Sequence, residues 1–210
     1  MMTTMTNKIK SILNYLDELF PSVGCELNYQ KDYELVIAVM LSAQTSDKAV
    51  NKVTNVLFYK YQSLQELANS DLTDIENIIQ SIGLYKNKAK NIQGIAKKLI
   101  SDFNDAVPID KKDLQTLPGV GNKTAGVIRA KLFNIPELPV DTHILRISKR
   151  LGLANEKDDP LIVEKKLKKL IDESRYIKTH HQLIHFGRYF CKAKHPSCYN
   201  CKIKDFCNNK

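Results

Sequence analysis

Apolar residues recur at intervals of three and four along most of the chain, the spacing that places them on one face of an α-helix. The first such run predicts an amphipathic N-terminal helix, which Pro21 ends. The apolar face of this helix carries Ile9, Ile12, Leu13, Leu16 and Leu19. We find no series of alternating strand patterns joined by hairpin turns. The sequence therefore predicts an all-α fold.

The same spacing predicts helices along the rest of the chain, and polar or glycine residues mark several of their ends. Asp32 and Asp47 are suited to cap the next two helices, and Gly83 is suited to end the one after them. The predicted ranges are 33–43, a helix from Asp47 onward, 73–82, 86–103, 110–116, 122–133, 142–151, 160–171 and 179–190. The Pro-containing stretch 134–139 is the best candidate for a crossing between two lobes.

Charge and composition narrow the class of partner. The chain has 210 residues, of which 43% are hydrophobic, so it can bury a proper core, and its formal net charge is +9. Such a basic surplus favours nucleic acid as a partner, with a solvated charged face as the plain alternative. No apolar run is long enough to span a membrane, and the first ten residues lack a signal-peptide pattern. We therefore expect a cytoplasmic protein with no membrane partner.

The cysteines carry the most specific pattern. Four of the five lie near the C-terminus as C-x6-C-x2-C-x5-C, namely Cys191, Cys198, Cys201 and Cys207. A set of four thiolates suits an iron–sulfur cluster or structural zinc, and four unligated thiols are the plain alternative. Zinc ribbons usually present paired C-x2-C knuckles, whereas only one such pair occurs here. Cys25 lies far away and is interpreted as a core residue.

The segment that holds these cysteines is rich in basic residues. Between Arg188 and the C-terminus it also contains Lys192, Lys194, Lys202, Lys204 and Lys210, against a single acidic residue, Asp205. A loop held by a metal centre and carrying lysines is suited to contact phosphates, although a solvated tail would show the same composition.

A glycine-rich turn between two predicted helices is the second signal. Gly119 and Gly121 follow Pro118 and predict a tight turn that a Cβ would fill poorly. Together with the start of the next helix, such a turn exposes backbone N–H groups that can bind phosphate. Lys123 falls in the first helical turn, where the dipole disfavours a cation, which indicates a phosphate contact or a Schiff-base amine. Asp141 precedes a helix and is interpreted as an N-cap that can also present a carboxylate.

In its cysteine spacing, its glycine-rich turn and the positions of Lys123 and Asp141, the sequence resembles the endonuclease III family of helix-hairpin-helix DNA glycosylases. The resemblance extends over about 12–208, and its strongest blocks are 41–45, 82–85, 117–125, 140–146 and the cysteine set. It implies two helical lobes with a cleft between them, a six-helix barrel over 25–133 and an iron–sulfur domain over 1–24 and 134–210. It also implies one [4Fe–4S] cluster on the four cysteines.

The resemblance further implies an activity and a role for each site residue. Lys123 would be the catalytic lysine and Asp141 the catalytic aspartate. Gln44 would fill the gap left by an extruded nucleotide, and Leu84 would wedge into the opposite strand. The expected protein is a monomeric glycosylase and abasic-site lyase of a bacterial cytoplasm, which removes oxidised pyrimidines from duplex DNA.

Three alternatives remain open at this stage. An adenine glycosylase shares the hairpin and the cysteine spacing but lacks a lysine at the position of Lys123. A non-catalytic DNA-binding module would leave Lys123 and Asp141 without a shared purpose. An electron-transfer protein built on the cluster would leave the glycine-rich hairpin unexplained.

Overall fold

The computed structural model describes residues 2–208, with side chains from Met5 onward. Over this range the chain forms eleven α-helices and no strand, which confirms the all-α prediction. Met1 and Lys210, the ends of the predicted iron–sulfur domain, lie outside the described residues. No helix in the described range is both long and apolar enough to cross a membrane. The chain divides into two compact units, one formed by 26–135 and the other by 1–25 together with 136–210.

The unit formed by 26–135 is built around one buried helix. Its helices are α2 (Asp32–Leu41), α3 (Asp47–Lys60), α4 (Leu64–Asn69), α5 (Leu72–Ile79), α6 (Tyr85–Phe103), α7 (Lys111–Thr116) and α8 (Asn122–Leu132). Nine of the ten residues of α2 are buried, and this helix packs against α3, α6 and α8. Helices α4 and α5 pack on α6.

The other unit joins the N-terminal helix to the C-terminal segment. It contains α1 (Met2–Leu19), α9 (Thr142–Arg150), α10 (Pro160–Leu170) and α11 (Tyr176–His185), which continues into a π-helical turn, Phe186–Phe190. Helix α1 packs against α11, and its apolar face enters a core with α9, α10 and Phe186. An ion-pair network adds to this contact, because Asp17 of α1 binds Arg175 and Lys178.

Several predicted helix ends were wrong, each for a local reason. Helix α2 starts at Asp32, with Lys31 before it as the cap, and it ends at Leu41. Ser46 rather than Asp47 caps α3, since its hydroxyl accepts from the N–H of Ala49. Helix α5 ends at Ile79, so Gly83 is not its terminating residue.

The pattern also missed one helix and displaced another. Helix α4 has only six residues, too few to show a period, yet Ser63 and Glu66 form a capping box at its start. The last helix was predicted over 179–190. It begins earlier, at Tyr176, and its final turn is π-helical.

Candidate functional site

The glycine-rich turn between α7 and α8 is held tightly against α2 and α6. Gly119 has φ +77°, and a Cβ there would lie 2.6 Å from Nδ2 of Asn91 and 2.9 Å from Cγ of Met40. Pro118 rests on α6 at Gly94, where an added Cβ would lie 2.9 Å from the proline Cγ. The prediction that no Cβ fits is therefore confirmed for Gly119.

For Gly121 the same prediction was wrong. This residue has φ −90° and ψ −177°, an extended backbone that any residue adopts, and an added Cβ would meet nothing within 4 Å. Gly121 is nevertheless the N-cap of α8, and no side chain caps the helix there. The first N–H groups of α8 thus begin beside a glycine with open space around it, which leaves them accessible to an anion.

Lys123 lies in the first turn of α8 with its side chain exposed. No acidic residue occupies that turn, and within the described residues no hydrogen bond or ion pair engages the lysine amine. A cation at this end of a helix gains nothing from the helix dipole. The amine is therefore available to a ligand rather than committed to the fold.

Asp141 is the N-cap of α9, and this part of its predicted role is confirmed. Its Oδ1 accepts a hydrogen bond of 2.8 Å from the N–H of Ile144, while the residue stays half-buried. The backbone that leads to it is also fixed, because Nδ1 of the buried His180 lies 2.9 Å from the carbonyl oxygen of Pro139. The carboxylate is consequently held in one place by both the cap and the preceding chain.

Gln44 and Leu84 share an unusual backbone conformation. Both are exposed and have positive φ, +56° for Gln44 and +59° for Leu84. Non-glycine residues rarely adopt this left-handed region, and a residue held there costs on the order of 1–3 kcal/mol. Leu84 is the N-cap of α6, and Gln44 lies in the turn that follows α2. Each of these strained backbones therefore carries an exposed side chain.

The four C-terminal cysteines lie around one cavity of about 410 Å³. Cys191, Cys198, Cys201 and Cys207 all line it, and Phe186 and Phe190 form part of its apolar wall. Burial raises the pKa of the Cys201 thiol, and the charges of the other three cysteines raise it further. A positively charged metal centre would remove this mutual repulsion, so the donor set and the cavity fit a metal cofactor.

The four thiols line the cavity without meeting at a single point. Among residues 2–208, no three His, Cys, Asp or Glu side chains lie close enough together to hold one metal ion. In a tetrahedral zinc site the four sulfurs must meet at one centre, each about 2.3 Å from the metal. The thiols here line the cavity described above. One of them, Sγ of Cys191, also accepts a hydrogen bond from Nη1 of Arg150 at 3.4 Å.

The basic residues near the cysteines differ in what they contact. Lys192 and Lys194 are exposed on the loop after Cys191. The carbonyl oxygen of Lys192 accepts from Arg150 at 2.8 Å, which fixes the loop while leaving the lysine side chain outside. Lys202 instead forms an ion pair with Glu18. Lys210 lies outside the described residues.

Sequence reasoning did not single out the residues that support these groups. Arg146 of α9 donates to the carbonyl oxygens of Gly187 and Cys191, at 2.9 and 3.0 Å, and so joins α9 to the start of the cysteine loop. Lys88 is buried in α6 and binds the segment that carries Gln44. A usable signal existed for Lys88, since it lies four residues before Ile92 on the buried side of its helix.

The described residues form an all-helical fold in which a glycine hairpin joins α7 to α8, a helix without a side-chain cap, and this is the arrangement of a helix-hairpin-helix protein. In agreement, residues 37–173 match the profile of the HhH-GPD superfamily of base excision DNA repair proteins. The chain is 45% identical over 200 residues to endonuclease III of Bacillus subtilis (strain 168), covering 95% of this chain and 91% of that protein. The chain belongs to the endonuclease III family.

Solved structures show the same relationship. The chain is similar, with a TM-score of 0.93 and 45% identity, to a structure described as a non-covalent endonuclease III–DNA complex. It is equally similar to a trapped endonuclease III–DNA covalent intermediate, and each match covers 97% of this chain and 95% of the other. The predicted family and the predicted enzyme class, a DNA glycosylase with lyase activity, are confirmed.

Proposed function

We propose that this chain removes oxidised pyrimidines from duplex DNA and then cleaves the strand at the resulting abasic site. The observation that carries the proposal is the exposed, uncommitted amine of Lys123 in the first turn of α8. A primary amine can attack the sugar and form an imine, which is the chemistry that links base removal to strand cleavage. The trapped covalent complex formed by a similar endonuclease III supports this choice.

The hairpin and the basic loop provide the proposed contacts to the DNA backbone. Gly119 shapes the turn, and Gly121 leaves room for a phosphate to approach the N–H groups at the start of α8. Lys192 and Lys194 add exposed positive charges on the cysteine loop. Such contacts recognise the backbone and not the base sequence, as a repair enzyme that searches a genome requires.

Gln44 and Leu84 are proposed to enter the duplex when the damaged nucleotide leaves it. An enzyme that acts on a base must rotate it out of the stack, which costs a few kcal/mol and less for a damaged pair. Gln44 would occupy the vacated position, and Leu84 would wedge into the opposite strand. Their exposure and their strained backbone fit side chains that are presented to a ligand rather than used in a core.

In the proposed reaction, the neutral amine of Lys123 attacks C1′ of the sugar. The bond from C1′ to the base breaks, and the base leaves with the bonding electron pair and takes up a proton. Asp141 stabilises the positive charge that develops on the sugar and assists proton transfer. The sugar ring then opens to an imine. A general base removes the proton at C2′, and the 3′ phosphate leaves by β-elimination. Water finally hydrolyses the imine and frees the lysine.

The four cysteines are proposed to hold one [4Fe–4S] cluster, with Cys191, Cys198, Cys201 and Cys207 as its ligands. When bound, the cluster ties the loop that carries Lys192 and Lys194 to the helices behind it. It takes no part in bond breaking, so the steps at the sugar belong to Lys123 and Asp141. As part of the same proposal, 25–133 is the barrel domain, whose seven helices α2 to α8 include the six of the predicted barrel, and 1–24 with 134–210 is the iron–sulfur domain. The enzyme acts as a monomer in a bacterial cytoplasm.

Covalent trapping tests the assignment of Lys123. Borohydride reduces an imine to a stable bond, so the unchanged enzyme should become attached to duplex DNA that carries an abasic site. Lys123→Gln should abolish attachment, whereas Lys131→Gln, an exposed lysine in the last turn of the same helix, should attach normally. If Lys123→Gln still attaches at the normal rate, another amine is the nucleophile. If the unchanged enzyme never attaches, a non-catalytic DNA-binding module becomes the better description.

Asp141 can be tested without disturbing its helix cap. Asparagine caps helices as well as aspartate, so Asp141→Asn should keep the hydrogen bond to Ile144 and leave the free energy of unfolding within about 0.5 kcal/mol. The loss of charge should slow single-turnover base removal by about 100-fold or more. A near-normal rate in a normally folded Asp141→Asn would reduce this residue to a cap.

A further inference from the structure

A buried lysine, Lys88, contacts both the segment that carries Gln44 and the segment that carries Leu84. Only 4% of Lys88 is accessible to solvent, although the residue belongs to a helix with many exposed lysines. Buried lysines are rare because removing an ammonium group from water is costly unless it is fully bonded. The position of Lys88 therefore requires a specific compensation.

The ammonium group of Lys88 is saturated with oxygen acceptors. It donates to the carbonyl oxygens of Leu41 and Ala43 and to Oγ1 of Thr45, each at 2.9 Å. Leu41 is the last residue of α2, and carbonyl groups at a helix C-terminus have no partner within the helix and carry partial negative charge. Burial lowers the pKa of Lys88. The three acceptors, however, are the number that a charged ammonium group can satisfy.

These acceptors surround Gln44. Ala43 precedes it, Thr45 follows it, and a backbone hydrogen bond from Thr45 to Ser42 at 3.2 Å closes the turn. Gln44 itself has φ +56°, so the turn holds a residue in a conformation that a free chain would leave. The bonds from Lys88 on either side keep the turn closed.

The backbone of the same lysine is bonded to Leu84. The N–H of Lys88 donates to the carbonyl oxygen of Leu84 at 3.0 Å, which closes the first turn of α6. Leu84 is the N-cap of that helix, with φ +59°. One residue thus reaches the Gln44 turn through its side chain and the Leu84 cap through its main chain.

We propose that Lys88 is a positioning residue that couples the Gln44 turn to the Leu84 cap, so that both side chains enter the duplex at a fixed separation. The proposal rests on the roles proposed for Gln44 and Leu84 in nucleotide extrusion. Lys88 does not touch DNA or the reacting sugar. It holds two strained backbones in register, and extrusion requires both side chains to be in place at the same moment.

The test compares two substrates that differ in the need for extrusion. An abasic site in duplex DNA must be rotated out of the stack, whereas the same site in a single strand is already accessible. Lys88→Met keeps most of the apolar part of the side chain and removes the ammonium group. We expect its single-turnover cleavage of the duplex site to fall by about tenfold or more, since small misplacements carry penalties of that size. Cleavage of the single strand should stay within about twofold, a change too small to indicate lost chemistry.

Matched variants separate positioning from a general loss of structure. Lys90→Met removes an exposed lysine of the same helix and should cleave both substrates normally. Gln44→Ala and Leu84→Ala should show the same selective loss on duplex as Lys88→Met. Because Lys88 acts through Gln44, combining Lys88→Met with Gln44→Ala should cost less than the two single losses multiplied together. Amide exchange over 42–45 should accelerate in Lys88→Met and not in Lys90→Met.

Each result supports or overturns the coupling. Equal losses on duplex and single strand would make Lys88 a structural residue only, and an unchanged duplex rate would remove its role altogether. If Gln44→Ala and Leu84→Ala are both normal on duplex, the roles on which the coupling depends are wrong. Normal trapping by Lys123→Gln would instead contradict the proposed chemistry and leave the coupling standing. If Lys88→Met does not fold, Thr45→Val is the second variant. It removes only one of the three acceptors of Lys88, so its loss of cleavage must be smaller and confined to the duplex substrate.

Discussion

The two glycines of the hairpin give the sharpest prediction, because the structure assigns them opposite reasons for being glycine. At Gly119 the fold leaves no room for a side chain, and the backbone lies at φ +77°. At Gly121 the backbone is extended and the surrounding space is open. We therefore expect Gly119→Ala to damage the fold and Gly121→Ala to damage ligand binding alone.

The cost of Gly119→Ala can be estimated from three contributions. A left-handed backbone costs an alanine about 1–2 kcal/mol relative to glycine. An overpacked site adds about 1–3 kcal/mol. The amide of Asn91 can move away from the new methyl group, which places the penalty in the lower half of this range. Cγ of the buried Met40 cannot move easily, so the penalty does not vanish. Alanine recovers about 0.4–1 kcal/mol by restricting the unfolded chain. The net loss should be about 1–4 kcal/mol in the free energy of unfolding.

Gly121→Ala should leave stability within about 0.5 kcal/mol, since the poorer N-cap and the stiffer unfolded chain nearly cancel. Its new methyl group points into space that the protein does not use. If a phosphate approaches the start of α8 there, the methyl group should weaken binding by about tenfold, the equivalent of one lost charge-assisted hydrogen bond.

Both effects can be measured on the same two proteins. Urea unfolding gives the stability of each variant, and fluorescence anisotropy gives its affinity for a duplex that contains an uncleavable abasic analogue. A Gly119→Ala protein whose free energy of unfolding lies within about 0.5 kcal/mol of the unchanged protein, a margin typical of surface substitutions, would show that Gly119 is not required by the fold. A stable Gly121→Ala protein that binds DNA with unchanged affinity would show that no phosphate approaches the start of α8 at Gly121.

Two further predictions concern the unit that contains α1. Although burial raises the pKa of Asp17, hydrogen bonds from Lys178, Gln182 and Arg175 lower it to about 2. Because this folded-state pKa lies below the unfolded value, the stabilisation is present above about pH 4 and is lost as the pH falls toward 2. Asp17→Asn should lower the free energy of unfolding by on the order of 1–2 kcal/mol at pH 7, and urea unfolding should show this gap closing below pH 4. Cys198→Ser should lower the iron content and speed amide exchange over 191–207, whereas Cys25→Ser, outside the cavity, should retain full iron by metal analysis.

The features of the site that the sequence could predict are those that local rules control. The hairpin, the N-cap role of Asp141 and the grouping of the four cysteines all follow from residue types at fixed spacing. The position of Lys123 in the first turn of α8 was equally legible, because a cation is out of place there. Each of these depends on neighbours within a few residues or on a short loop.

The features that escaped prediction depend on contacts between distant segments. Lys88 and Leu41 are separated by 47 residues, and nothing in the helical period of α6 shows that its lysine will meet the end of α2. The same holds for Arg146 and Cys191, which are 45 residues apart. The sequence gives no sign of the positive φ of Leu84, because the neighbouring Gly83 is the residue that would ordinarily adopt a left-handed backbone in a turn. At Lys88 and Arg146 the deciding contacts lie too far along the chain for a local pattern to show them.

Two helix starts in the 26–135 unit, those of α6 and α8, depart from ordinary capping chemistry next to residues with proposed roles in DNA binding. Six of the other described α-helices start with a side-chain cap, among them those capped by Ser63, Asp110 and Asp159, whereas α2 and α11 do not. Around the hairpin and the start of α6 the rules fail together, since α8 lacks a side-chain cap and Leu84 is strained. A sequence that specifies one fold tends to satisfy such preferences, and exceptions persist where function requires them. The missing side-chain cap of α8, at the helix start that carries Lys123, is explained if this segment is shaped for a bound duplex and not for its own stability.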